Sequence, residues 1–190
     1  MKIPHLFVLD EKGRATAQVN PECEWVKTVR PIVTRLRDGV ALLAQDGRYY
    51  LFGEIKQGQK VHGAKPIPPY KTKGAQPAWL PLRKKNDFDV MLMDELIGNR
   101  RLENGTYEVF GPGIKDNPEA VNEVTFLKHG TERINGIDAT FSMMRIYMHR
   151  MPVKGFVLEH PHKPGLLAKV LRADFGEPWP LAYRVAAVGT

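Results

Sequence analysis

Residues 40–52 read VALLAQDGRYYLF, with β-forming residues Val40 to Ala44 and Tyr49 to Phe52 on either side of Gln45-Asp46-Gly47-Arg48. Asp-Gly is a pair that tolerates positive φ, which a tight two-residue turn requires. The stretch therefore predicts an antiparallel hairpin. Upstream of it, residues 3–9 (IPHLFVL) predict a short buried strand closed by Asp10-Glu11-Lys12-Gly13. Ala15 to Val19 predicts a second strand ending at Asn20-Pro21, and Trp25 to Thr34 is β-rich with an interruption at Pro31. Downstream, residues 56–86 hold five prolines, many lysines and little periodicity, and read as a long basic loop.

Past that loop the period changes. Val90, Leu92, Met93, Leu96 and Ile97 recur at helical spacing, which predicts a helix over Asp87 to Leu102 that Gly98-Asn99 weakens or ends. Asn104-Gly105 is a turn and Thr106 to Phe110 a strand. Phe141, Met144, Ile146 and Met148 predict a second helix over Asp138 to Met151. Val153 to Leu158 and Gly165 to Leu171 predict two strands across the turn His160-Pro161-His162-Lys163-Pro164. Short strands alternating with two helices give an α+β domain built on antiparallel sheet, with no repeat and no clear boundary along its 190 residues.

Composition narrows the partners. Apolar residues make up 43% and charged residues 26% of the chain, the balance of a water-soluble domain. No apolar run approaches the roughly 20 residues that span a bilayer, so no membrane partner is expected. The start, MKIPHLFVLDEKG, has an apolar stretch too short for a secretory signal, which predicts a cytoplasmic protein. Cys23 is the one cysteine and reads as a small buried hydrophobe. Lys and Arg number 28 against 21 acids, a formal +7 that attracts polyanions such as nucleotides or RNA.

The residues able to do chemistry are sparse. Glu159, His160 and His162 lie together in a Pro-rich turn, but a solvated surface pair is the expectation and no metal site is assigned. There is no nucleophile elbow and no Walker-type loop. In Gly111-Pro112-Gly113 the proline removes a donor that a phosphate loop needs. What remains are charged residues at strand ends: Arg35, Arg37 and Asp38 before Gly39, then Glu108, Lys154, Lys169 and Arg172.

Several longer segments fall in one order. They are CEWV (23–26), VTRLRDGVALLAQDG (33–47), AWLPL (78–82), NGTYEVFGPGIKDNPE (104–119), LKHG (127–130), VKGFVLEHP (153–161) and LLAKVLRADFGEPWP (166–180). Together they resemble a family of small RNA ligases found in phages and bacteria, with a vertebrate 5′–3′ RNA ligase as a distant member. The resemblance implies one nucleotidyltransferase domain over 1–190, like an ATP-dependent ligase catalytic domain: antiparallel sheets flanked by a few helices, with a central nucleotide cleft. It implies a chemistry in which a lysine of Lys-x-Asp-Gly attacks the α-phosphate of ATP, carries AMP, and passes it to an RNA 5′-phosphate with Mg²⁺ present.

This chain departs from that pattern at four places. The acceptor-lysine position is Leu36, which has no lone pair. The family's Glu near the start of the 153 strand is Lys154. Lys169 is kept, but the second lysine of the closing run is Leu171. An Arg expected after the first hairpin is lost near Phe52. Four scattered changes read as divergence rather than as a single knock-out.

The expectation that follows is a nucleotide-binding pseudoenzyme, with Arg35, Leu36, Arg37, Asp38, Gly39, Glu108, Lys154, Lys169 and Arg172 around the ligand and no cofactor required. Its partner would be a nucleotide or nucleotide-derived small molecule. A phage protein sequestering a nucleotide signal of host defence fits that description. Two further classes stay open. One is an active ligase using ATP, Mg²⁺ and another amine, Lys56 or Lys154; the other is a module that binds RNA ends through the 56–86 loop.

Overall fold

The computed structural model describes residues 3–68, 74–99 and 101–181. In chain order the elements are β1 (Phe7–Leu9), β2 (Ala15–Val19), β3 (Ile32–Leu36), β4 (Val40–Gln45), β5 (Arg48–Ile55), β6 (Lys65–Pro66), β7 (Gln76–Pro81), α1 (Asp87–Asn99), β8 (Gly105–Phe110), β9 (Thr125–Lys128), α2 (Phe141–Arg150), β10 (Gly155–Glu159) and β11 (Leu167–Leu171). Two 3-10 segments, Pro21–Lys27 and Arg172–Phe175, complete the set. The class is α+β, and the strands within each sheet pair antiparallel.

Contacts divide the described residues into two compact units. The first comprises Gly39–Asn117 and Val121–His129; the second comprises the residues before Gly39, Pro118–Ala120 and those from Gly130 onward.

The first unit is a six-stranded sheet in the order β6-β7-β5-β4-β8-β9. The expected hairpin is there: Leu43 opposes Tyr50 and Gln45 opposes Arg48. Asp46 and Gly47 take φ of 53° and 72°, the left-handed pair the turn demands. Period-2 alternation sends Leu42, Ala44, Tyr107 and Val109 to one face, where Leu92 and Leu96 of α1 pack. Leu43, Tyr50, Phe52, Trp79 and Glu108 go to the other.

Residues 56–86 are not one loop, as the sequence suggests: β6 and β7 lie within them and extend the hairpin sheet. Prolines hide this strand. Ile67 N donates to Pro77 O, so residue 77 turns its backbone toward two-residue β6 and not toward β5. The missing donors of Pro77 and Pro81 thus fall where little pairing is lost.

The second unit holds the three-stranded sheet β11-β10-β3 and the ribbon β1-β2. Val33, Phe156, Leu158, Ala168 and Val170 face a core closed by Leu6, Phe7, Cys23 and by Met144 and Met148 of α2. Met144 and Met148 fill this core, whereas Ile146, read from the same spacing as part of the core side, is 42% exposed. Of the β-rich reading from Trp25 to Thr34, only Ile32–Thr34 lies in a strand. Asn20 caps a 3-10 turn by accepting from Glu22 N, with Pro21 at the first position, so residues 21–27 coil before β3 begins. The histidine turn also differs from a solvated loop: His160 is buried, packs against Trp25 at a 46° tilt with centroids 5.3 Å apart, and accepts from His162 N at its Nδ1.

Candidate functional site

The nominated residues of the second unit gather where β3, β10 and β11 end together. Leu36 opposes Gly155, and Gly155 opposes Leu171. In the same register Thr34, Val157 and Lys169 form the next row on that face, because side chains repeat every two residues. Leu36, Leu171 and Lys169 therefore share one sheet face, opposite the core. A Cβ at Gly155 would stand 2.2 Å from Val170 O and 3.1 Å from Leu171 Cδ2. Only glycine fits there, and the leucine side chain leans over it. The two positions where the resemblance expects lysines are thus the two flanks of one glycine, and both are aliphatic.

Beyond Leu36 the chain is held by charge. Glu119 has a side chain fully out of water and gathers three donors. Arg35 Nη2 donates to Oε2 at 3.3 Å, Arg37 Nη1 to Oε2 at 2.7 Å, and Asp38 N to Oε1 at 3.0 Å. Arg37 also forks onto Glu132 at 2.9 and 2.6 Å. Burial works against the Arg37 charge, yet the bonds from Glu132 and Glu119 outweigh it and hold its proton more firmly than usual. Glu119 sits in a strained bend: Lys115, Asp116, Asn117 and Ala120 all have φ between 46° and 56°. Non-glycine residues seldom accept this, and such strain collects at functional positions.

Asp38 is saturated in turn. Lys154 Nζ donates to Oδ1 at 2.7 Å and Trp179 Nε1 to Oδ2 at 3.1 Å. Lys154 and Arg37, two cations placed around the expected ligand, are both ion-paired. Arg172 is buried, with Nε on Pro178 O and Nη1 on Met151 O, so it secures the chain around the 3-10 segment it begins. In the first unit Gly39 N donates to Glu108 Oε1 at 3.0 Å, while Glu108 Oε2 meets His129 Nε2 at 3.1 Å. A Cβ on Gly39 would sit 2.2 Å from Val109 O, so this glycine too is sterically required.

The resemblance nominated Asp38 together with Lys154, and Gly39 together with Glu108, pairs that the structure joins. Glu119, Glu132 and Trp179 escaped. Two of them lie inside quoted segments, NPE and FGEPWP, where a carboxylate and an indole stood beside the nominated charges.

The first unit carries a second feature. Phe52 is half exposed at 50% and packs edge-on to Trp79, centroids 5.8 Å apart, on the sheet face that also bears Glu108. Lys65 opposes Trp79 on β6. Residues 48–86 contain nine Lys and Arg and one acid, Glu54; the other residues hold 19 against 20, from totals of 28 and 21. The whole positive surplus of the chain belongs to this stretch.

No protein-family model matches this chain, and no curated protein matches it.

The ligase-like reading accordingly rests on the sequence motifs. Among the described residues no three His, Cys, Asp or Glu side chains are grouped to hold a metal ion, and no helix is long and apolar enough to cross a membrane.

Proposed function

We propose that the protein is a non-catalytic nucleotide-binding protein with an RNA-ligase-type nucleotidyltransferase fold. The observation that carries the reading is the pair Leu36 and Leu171 flanking Gly155 beside Lys169. An aliphatic side chain cannot form a phosphoamide, while a neighbouring ammonium still attracts phosphate. The bonds on Asp38 and Glu119 fix the backbone of 35–39 beside that pair. Binding without turnover suits sequestration of a nucleotide, including a signal nucleotide in a phage-infected cytoplasm. The test is incubation with α-labelled ATP and Mg²⁺ alongside thermal denaturation with a nucleotide panel. The expected result is a raised melting temperature with at least one nucleotide and no label on the protein. A labelled chain would make it an active adenylyltransferase, and no shift with any nucleotide would remove the reading.

A second reading is favoured by the partition of charge. The face of β5 and β7 bears an exposed aromatic, Phe52, and the stretch 48–86 around it holds nine Lys and Arg, the composition of a single-strand RNA platform. Stacking is worth about 1–3 kcal/mol per base. Phe52→Ala should therefore weaken binding to a short unstructured RNA about tenfold while leaving its salt dependence unchanged. Equal affinity of wild type and variant would count against it.

A further inference from the structure

The second unit has two adjoining cavities that none of the nominated residues line. The larger, about 690 Å³, has apolar walls that include Phe7, Val19, Val26, Ile137 and Phe141. The smaller, about 360 Å³, is lined by residues 30–33 and 133–137. Arg30, Pro31, Gly136 and Ile137 line both, so one opens beside the other. The larger volume lies in the range of small-molecule sites, roughly 300–1,000 Å³.

Charge is arranged unevenly between them. The smaller cavity has Arg30 and Arg133 in its wall and no acidic residue. Neither guanidinium has a hydrogen bond or ion pair among the described residues, whereas Arg35, Arg37 and Arg172 of the same unit are all engaged. The larger cavity has one acid, Asp138, and Thr140 N already donates to its Oδ1 at 2.9 Å. Its Lys27 is paired with Glu24 at 2.6 Å. A single oxyanion at this small cavity can take fork-shaped hydrogen bonds from both of its arginines. The apolar walls next to them favour burial of hydrocarbon. Neither feature alone selects a ligand; side by side they call for a molecule with both ends.

We propose that these cavities form a binding site for a small amphiphilic oxyanion. Its carboxylate or phosphate head lies between Arg30 and Arg133, and its apolar body lies against Phe7, Val26 and Phe141. The site uses none of the residues of the nucleotide reading and stands or falls apart from it.

Isothermal titration of the full chain tests it with three probes: decanoate as the amphiphile, decanol as the neutral body, and inorganic phosphate as the bare head. Decanoate should saturate one site at least tenfold more tightly than either other probe. Arg30→Gln with Arg133→Gln should reduce decanoate affinity at least tenfold and leave decanol unchanged. Ala17→Trp, at an exposed position of β2 in the wall of the larger cavity, should block the body and abolish decanoate binding. All three substituted residues are exposed, and unchanged melting temperatures would confirm folding. Phosphate binding as tight as decanoate, or decanoate binding indifferent to both variants, would overturn the proposal. Retention on phosphatidylglycerol vesicles without saturation by monomeric decanoate would overturn it too, assigning the arginines to a membrane surface.

Discussion

Glu119 concentrates the energetics of the second unit in one side chain. Its carboxylate is out of water and balances Arg35, Arg37 and the amide of Asp38. Glu119→Gln keeps the shape but leaves two guanidiniums without their buried counter-charge. Breaking such a cluster from one side costs about 3–5 kcal/mol, and urea unfolding should register a loss of that size. The Asp38–Lys154 pair is less enclosed, at 17% and 29% side-chain exposure. A double-mutant cycle should give it only about 1 kcal/mol of coupling. Cys23 makes a pH prediction. Burial first, and Glu22 second, raise its thiol from 9.0 to about 11. Below pH 9 the folded and unfolded chains both keep the proton. Between 9 and 11 the unfolded chain loses it first, so stability falls as pH rises, on the order of 1 kcal/mol per unit from this group. Cys23→Ala should remove that part of the slope, and identical slopes would refute the raised thiol.

Helix α2 and the first hairpin show how pattern becomes packing. Met144 and Met148 lie one turn apart and are fully buried, while Ile146 between them is 42% exposed. Met148→Ala should cost about 2–5 kcal/mol by leaving a cavity, and Ile146→Ala less than about 0.5 kcal/mol. Chemical denaturation of the two variants separates a buried from an exposed apolar residue on a single helix. At the hairpin turn Gly47 has φ 72° and open space where a Cβ would go. Gly47→Ala therefore meets no clash and reports backbone conformation alone, a loss of about 1–2 kcal/mol in the same assay.

Across the whole chain, the distribution of charge says more than its total. A net +7 describes a mildly basic protein; a surplus confined to residues 48–86 describes one basic region on a balanced background. If that region meets single-stranded RNA, replacing Lys56, Lys60, Lys84 and Lys85 with Gln should flatten the dependence of log K on log salt. The change should be about 0.7 for each lysine that touches phosphate. Four neutralisations outside the region should leave the slope as it was. Much of this molecule was legible before any coordinates. The hairpin, both helices and the absence of an amine at residue 36 follow from local pattern, because turn chemistry, periodicity and residue identity are local quantities; Glu108 and Lys169, read as strand ends, lie inside β8 and β11. The pairing of Arg37 with Glu119 and Glu132, the capture of Asp38 by Lys154 and Trp179, the burial of His160 and the strand concealed by Pro77 and Pro81 could not be read that way. Each depends on groups tens of residues apart being brought within hydrogen-bonding or packing distance, and a one-dimensional pattern carries no record of which distant charge a folded chain will place beside another.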